Sequence, residues 1–230
     1  MHDATSQFSH FRLAIAPGVP SSYLSTLLAR QRAEEPEITI SFFEVSDDDL
    51  VTGLHESRYD AGMSLRSVST PSLESQPLWI ESMAVAMSLQ SPLLGQAKLT
   101  LAELLDYPVF RWPVETCSLL DQGLSSWPPL GQQSIQHVTS FEMMALWVAA
   151  GYGVGISTQS RIEHARAWGI AVRPLSDGPY EVVTHLQRPS GRANAVSERF
   201  ERRAMHVARE SATYPISRLR STSLALDDPE

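Results

Sequence analysis

Short apolar runs alternate with amphipathic helical segments along the first third of the chain. Residues 11–16, 38–43 and 59–65 have the apolar, β-branched and aromatic composition of strands. Between them, residues 22–35 carry apolar side chains at helical spacing until Pro36 ends the helix. A second helix is predicted to begin at Ser46, with Asp49 at the capping-box position. This β-α-β-α-β order predicts a parallel sheet with right-handed crossovers.

A second series of the same kind follows a long extended stretch at residues 77–89. Ser91-Pro92 interrupts that stretch, and Thr100 with Glu103 forms a capping box for a short helix. Thr139 with Glu142 is predicted to cap another helix. The predicted elements are strand 109–112, a helix with Leu119, Leu120, Leu124 and Trp127, strand 134–138, helix 141–150, strand 154–157, helix 159–167, strands 170–175 and 180–187, and helix 192–209. Two small α/β lobes are therefore expected.

Composition and charge narrow the class of protein. The 230 residues include 18 Lys and Arg against 26 Asp and Glu, a formal charge of −8, which argues against a nucleic-acid-binding surface as the main feature. A single cysteine excludes a disulfide framework. We find no apolar stretch of about 20 residues and no secretory signal in the first ten. These observations predict no membrane contact and a reducing, cytoplasmic location.

Motifs for catalysis, metals and cofactors are not found in the sequence. The seven histidines never pair at metal-ligand spacing, and Gly151, Gly153 and Gly155 follow a helix, the reverse of the order in a dinucleotide-binding turn. Cys117 is a candidate nucleophile or redox sensor only if a helix N-terminus activates it, and an inert buried thiol is the favoured interpretation. We expect no catalytic residue, no metal and no cofactor.

Four segments together resemble the effector-binding domain of LysR-type transcriptional regulators. They are LHESRYDAGMSL at 54–65, PLWIESMAVAMSLQSPLL at 77–94, LTLAELLDYPVF at 99–110 and HVTSFEMMALWVAAGYGVGIS at 137–157. Their order and spacing match over about residues 11–209. The resemblance implies a type 2 periplasmic-binding-protein-like α/β fold, in which two crossover strands join two Rossmann-like lobes around a small ligand.

The resemblance also implies boundaries within the chain. Lobe one is expected at 11–86 and 159–209 and lobe two at 87–158, with residues 1–10 disordered and 210–230 a mobile tail. The hinge is expected in the crossover strands, at Val85, Ala86, Met87, Ile156 and Ser157. Only about ten residues precede the first predicted strand, so we expect the family's winged helix-turn-helix to be absent, either because the chain is cut from a regulator or because it is a natural orphan domain.

Candidate effector contacts lie where predicted strands end at helix N-termini, which present free N–H groups. On lobe one they are Ser21, Ser22, Ser64 and Arg66, and on lobe two Thr116, Thr139 and Ser140. For Ser21, Ser22, Thr116 and Thr139 plain helix capping is the alternative, and for Arg66 the alternative is an ordinary exposed arginine. Because Arg66 can clasp a carboxylate, we expect an anionic or zwitterionic effector.

The sequence therefore predicts an effector-sensing domain that is not an enzyme. The resemblance implies a homodimer in which lobe one of one subunit faces lobe two of the other, through helices such as 47–57. DNA would be contacted only through a winged-helix domain absent from this chain. A stand-alone solute-binding protein of a transport system is the alternative, and an enzyme is a third possibility.

Overall fold

The computed structural model describes residues 10–68, 70–126, 135–191 and 195–213, with side chains to residue 210. Its strands are β1 (His10–Ile15), β2 (Thr39–Glu44), β3 (Ala61–Ser64), β4 (Leu73–Ser88), β5 (Val109–Arg111), β6 (Ile135–His137), β7 (Val154–Thr158), β8 (Ile170–Pro174) and β9 (Glu181–Pro189). The α-helices are α1 (Ser21–Glu34), α2 (Asp47–His55), α3 (Ser118–Ser125), α4 (Phe141–Ala149), α5 (Gln159–His164) and α6 (Ala195–Thr213). The predicted β/α alternation is confirmed.

One long strand, β4, belongs to both halves of the sheet. Its first part, through Ser82, pairs antiparallel with β9, and β9 continues through β3 and β1 to the edge strand β2. From Met83 onward β4 pairs instead with β7 and β8, and β7 continues through β5 to β6. We use lobe one for the half built on β1, β2, β3 and β9, and lobe two for the half built on β5 to β8. The structure has the expected two-lobe α/β architecture.

Each lobe has its own apolar interior. In lobe one the sheet packs against α1 and α6, where the rings of Phe11 and Phe200 lie 4.8 Å apart and both side chains are fully buried. In lobe two, α4 and α5 cover one face of the sheet, with Met144 and Ile162 buried there. Burial of such side chains is worth about 1.5–3 kcal/mol each, so the two interiors can hold the lobes as separate units.

Two of the three helix caps predicted from the sequence are present in the structure. The Ser46 hydroxyl accepts a hydrogen bond from the Asp49 backbone N–H at 3.2 Å, and the Thr100–Glu103 capping box is present at the start of a short 3-10 helix (Leu101–Leu104). The predicted cap at Thr139 is wrong. Ser140 directly precedes Phe141, the first residue of α4 as predicted, so Ser140 is the N-cap and accepts from the Met143 N–H at 3.2 Å.

The lobe boundaries and hinge positions stay predictions, and the pairing favours a different placement for them. β4 changes partner between Ser82 and Met83, before the predicted hinge residues Val85, Ala86 and Met87, which lie inside the paired strand. The other two predicted hinge residues, Ile156 and Ser157, pair with Val85 and Ala84. β8 also pairs with β4 from Ala84 to Ser88. We therefore propose that residues 159–174 belong to lobe two, and that the chain returns to lobe one between β8 and β9.

The predicted chain ends lie mainly outside the described part, as do terminal residues of three predicted elements. Residues 1–9 and 214–230 are not described; His10 already belongs to β1, and residues 210–213 belong to α6. Trp127, Ser134 and Arg192 also lie outside the described residues. Within the described part, no helix combines the length and the apolar character needed to cross a bilayer.

Candidate functional site

A cavity of about 330 Å³ lies where the carboxyl ends of β3 and β5 face each other. Lobe one supplies Asp47 at the start of α2 and Leu65 and Arg66 just after β3. Lobe two supplies Pro113, Val114 and Thr116 from the loop after β5. Parallel strands open at this edge because the chain leaves each of them toward a helix N-terminus, and ligands of open α/β sheets bind there. The cavity has the size of a small-molecule site.

The polar wall of this cavity belongs to lobe one. The Ser64 hydroxyl donates a hydrogen bond to the Asp47 carboxylate and accepts one from the Arg66 backbone N–H at 2.9 Å. The Arg66 guanidinium lies 2.8 Å from a carboxylate oxygen of Asp48. Because the Asp48 side chain is 88% exposed and the Arg66 side chain 48%, this ion pair is well solvated and is easily exchanged.

The two lobes touch beside the cavity at Gly18, in the turn after β1. Its backbone has φ +89°, a conformation that favours glycine. A Cβ atom there would lie 2.8 Å from Cγ1 of Val114 in lobe two and 3.0 Å from Cδ1 of Leu65. The close approach of the lobes at this point therefore depends on the missing side chain.

A buried ion pair lies under the cavity. Glu115 is 0% exposed, and its carboxylate accepts hydrogen bonds from the Ser157 hydroxyl at 2.6 Å and from Nε of Arg161 at 2.9 Å. The Arg161 guanidinium also donates to the Gly18 carbonyl oxygen at 2.9 Å and lies over the ring of Trp112. Burial raises the pKa of Glu115, although the positive charge of Arg161 acts in the opposite direction. Arg161 thus joins its own lobe to lobe one.

A family model decides what kind of domain this is. The model, described as the LysR substrate binding domain, matches residues 5–208. The chain belongs to this family.

This LysR substrate-binding domain is also similar to a curated protein. A "Probable hydrogen peroxide-inducible genes activator" of Mycobacterium leprae is 28% identical over 152 residues, which cover 65% of this chain and 49% of that protein. The match thus spans about half the length of the curated relative.

Two solved structures share the fold of this LysR domain. The BenM effector-binding domain with its effector benzoate has a TM-score of 0.75 at 19% identity and covers 90% of this chain and 93% of its own. The effector-binding domain of QuiR in complex with shikimate has a TM-score of 0.70 at 17% identity, with coverage of 88% and 98%. At these identities the likeness shows the fold alone.

The predicted effector contacts of the LysR domain are distributed unevenly around the cavity. Arg66 and Thr116 line it, and Ser64 holds its Asp47 wall. The remaining candidates lie at the first turn of α1 or at the start of α4, outside the residues that line this cavity: Ser21, Ser22, Thr139 and Ser140. All seven stay predictions as effector contacts. No side-chain cap bond is formed at the N-terminus of α1, so helix capping does not account for Ser21 and Ser22.

Sequence reasoning missed several residues of this region. Asp47 is not among the predicted effector contacts, and Glu115 and Arg161 carry no local signal because they are 46 residues apart. Leu65, Pro113 and Val114 were missed as cavity walls. The polar pair Glu115-Thr116 shortly after an expected strand is the sequence cue that could have drawn attention to this loop.

A larger cavity of about 570 Å³ lies at the other end of lobe one, between the start of β4 and the end of β9. Its one cationic side chain, Arg188, is already bonded to Glu201 at 2.8 Å and to Glu74 at 2.5 Å. Within the described part of the chain, no group of three His, Cys, Asp or Glu could hold a metal ion. The inter-lobe cavity is therefore the better candidate.

Proposed function

We propose that this domain is the sensor of a LysR-type regulator and binds a small carboxylate, zwitterionic or hydroxylated, in the inter-lobe cavity. The observation that carries the proposal is that a guanidinium and a carboxylate, Arg66 and Asp47, line one cavity whose opposite wall comes from the other lobe. A ligand there would touch both halves of the protein.

Arg66 supplies the recognition of the carboxylate in this proposal. A guanidinium offers two parallel N–H donors to a planar carboxylate, so an incoming acid can replace the exposed carboxylate of Asp48. Asp47 supplies an acceptor for an ammonium or hydroxyl group on the same ligand. Benzoate and shikimate, the ligands in the BenM and QuiR structures, are both carboxylates, which supports this chemical class.

Sensing would work by a shift in population between open and closed lobes. A ligand that contacts Arg66 on lobe one and Thr116 on lobe two binds the closed form better than the open form. Differential affinity of this kind is what moves a conformational equilibrium. A sensor needs no bond-breaking chemistry, so we propose a regulator and not an enzyme, working in the cytoplasm where its target DNA lies.

Thermal-shift titration with small acids tests this function. Organic acids, amino acids and the corresponding amides are added to the wild-type chain and to Arg66→Gln. At 100 times its Kd a true ligand stabilises the fold by about 2.7 kcal/mol. The matched control is Arg58→Gln, because Arg58 is similarly exposed and forms a similar surface ion pair, with Glu56. Stabilisation by amides alone, or equal stabilisation of Arg66→Gln by acids, would contradict the proposal.

Peroxide sensing is the competing function, because the Mycobacterium leprae relative is described by that response. Cys117 is the chain's single cysteine and precedes α3, beside the cavity residue Thr116. Its side chain is buried among Leu120, Leu124 and other apolar residues of lobe two, where a thiol is inert. Rapid consumption of one equivalent of hydrogen peroxide with sulfenic acid formation, lost in Cys117→Ala, would favour peroxide sensing.

We also propose a homodimer, and the structure favours a face other than the predicted helix 47–57. The apolar residues Leu50 and Leu54 of α2 are buried in their own lobe. On lobe two, Leu146 is 60% exposed, and Trp147 packs edge-on against the exposed Tyr152. Contiguous exposed apolar groups of this kind are typical of interfaces.

Light scattering after size exclusion tests the dimer. Leu146→Glu is expected to give monomers because it places a charge in the apolar face. The control is Ile80→Glu, since Ile80 has nearly the same exposure but lies on β4 in the lobe-one half of the sheet. If Leu146→Glu still forms a dimer, this face is not the dimer interface. Because this chain carries a net charge of −8, we propose that a different segment of the complete regulator contacts DNA.

A further inference from the structure

A second buried carboxyl group lies where β4 passes from one lobe to the other. Glu81 pairs with Val182 of β9 and is one residue before Ser82, the last residue of β4 that pairs with that strand. Its carboxylate accepts a hydrogen bond from the Ser160 hydroxyl at the start of α5. α5 packs on β4 and also on β7 and β8 of lobe two, so this bond connects the lobe-one part of β4 to lobe two.

The charges around Glu81 do not balance when every group is ionised. Glu81 and Glu115 are 6% and 0% exposed, and the positive charge of the Arg161 guanidinium acts on both carboxyl groups. Both described bonds of that guanidinium go elsewhere, to Glu115 and to the Gly18 carbonyl oxygen. The second oxygen of Glu81, Oε2, is buried and has no hydrogen-bond partner among the described residues.

Burial raises the pKa of Glu81 to about 7; the negative charge of Glu115 adds to this, while Ser160, Arg161 and His164 act against it. The phenol of Tyr23 on α1 also faces this carboxyl, and burial together with the negative charge of Glu81 raises its pKa. The other charged groups close to the cluster are Arg111, which bonds to the Glu115 carbonyl oxygen and to Asp121, and Glu181, opposite Ser82 on β9.

We propose that Glu81 is a proton-binding site that fastens the two lobes together when protonated and loosens them when ionised. In the protonated state the Glu115 carboxylate is paired with Arg161 and also feels the charge of Arg111, which is itself paired with Asp121, and the cluster stays dry and closed. Ionisation places a second negative charge on a carboxyl group whose Oε2 is buried and without a partner among the described residues, in the field of Glu115. Hydration of that charge requires α5 to move away from β4, and this movement opens the contact between the lobes.

Protonation of Glu81 and binding of the effector then favour each other. The closed form, which the effector favours in our proposed function, is also the form that keeps Glu81 protonated. Raising the pH through 7 therefore weakens lobe closure and effector binding together, by reciprocal linkage. The proton site itself does not depend on which effector binds, so its test needs no effector.

Hydrogen exchange of the β4 and α5 amides, corrected for the intrinsic rate, measures this opening at pH 6 and pH 8. In the wild-type chain we expect protection to fall about tenfold at pH 8, one unit above the pKa, and Glu81→Gln to keep the same protection at both values. The control is Glu163→Gln, on the same helix, whose carboxylate accepts from Gln159 at 2.8 Å and should leave the wild-type response unchanged.

A titration of the wild-type chain keeps the inference testable if Glu81→Gln fails to fold. The ¹³C shift of the Glu81 carboxyl, assigned by comparison with Ser160→Ala, should titrate near pH 7. A midpoint below about 5.5, or an equal pH response in wild type and Glu81→Gln, would overturn the proton site. If the pH response is present but no acid binds, only the proposed effector class is overturned and the proton site stands.

Discussion

Replacing Arg161 by Met removes the cation from the buried Glu115 while retaining an unbranched side chain. In the wild-type chain the Nε–carboxylate distance is 2.9 Å, and the Arg161 side chain is 21% exposed while that of Glu115 is 0% exposed. Breaking a buried pair by removing one partner costs about 3–5 kcal/mol, because the remaining charge is left uncompensated. Given the partial exposure of Arg161, we expect Arg161→Met to lower the free energy of unfolding by about 3 kcal/mol at pH 8.

The loss of stability in Arg161→Met should be smaller at pH 5 than at pH 8, because Glu115 can then take up a proton. Burial already raises the pKa of Glu115 in the folded protein, and loss of the guanidinium raises it further. A folded-state pKa above the unfolded value means that the folded protein holds a proton that the unfolded chain releases. The stability of Arg161→Met therefore falls as the pH rises through the folded-state pKa of Glu115, relative to wild type.

Urea unfolding followed by circular dichroism at both pH values measures this difference. Glu115→Gln serves as the control, because it keeps the shape of the side chain and one of its two acceptor oxygens while removing its charge, and it should cost about 1–3 kcal/mol. The double variant Glu115→Gln with Arg161→Met should be more stable than Arg161→Met alone at pH 8. A loss below about 0.5 kcal/mol, equal at the two pH values, would refute the reasoning.

Three further substitutions test the packing around the site. Gly18→Ala should lower the free energy of unfolding by about 1–2 kcal/mol, because alanine is strained at this positive φ and its Cβ would press on Val114. The radius of gyration in X-ray scattering should increase. The control is Gly95→Ala, where nothing lies within 4 Å of the added Cβ, and it should change neither the stability nor the radius. Phe200→Ala should destabilise lobe one by about 3–5 kcal/mol in urea unfolding, and a loss under 1 kcal/mol would contradict its full burial. Ser46→Ala should cost about 1 kcal/mol and fray the first turn of α2 in hydrogen exchange; unchanged exchange there would mean that the cap is not needed.

Local patterns explain why the fold was largely predictable from the sequence. Strands such as β1 and β3 are short apolar runs bounded by turn residues, and α2 begins at a serine followed by three acids, so neighbouring residues specify each element. The change of partner within β4 is different. An extended strand looks the same on both sides of Ser82, and its pairing with β9 and then β7 depends on residues about 75–100 positions later in the chain.

The candidate site was predictable only where it follows strand ends. Arg66 and Thr116 were found because polar residues after strands of a parallel sheet gather at one edge. The Glu115–Arg161 pair and the Glu81–Ser160 bond join residues 46 and 79 positions apart. In the sequence each is an ordinary charged or polar residue, and its burial becomes evident only after the lobes pack. Buried polar groups of this kind are set by tertiary structure and leave no periodic signal.

In our two proposals, ligand recognition and lobe closure belong to different groups of residues. Arg66 and Asp48 are exposed and can exchange partners at low cost, so they suit the choice of ligand. Glu81 and Glu115 are buried, and under the proposal a change in their charge would act on the contact between the lobes and not on a ligand directly. Arg66→Gln should therefore change which compounds bind without altering the pH response of hydrogen exchange. Glu81→Gln should remove the pH response while leaving the ranking of ligands unchanged, and a variant that altered both would show that recognition and closure share one set of residues.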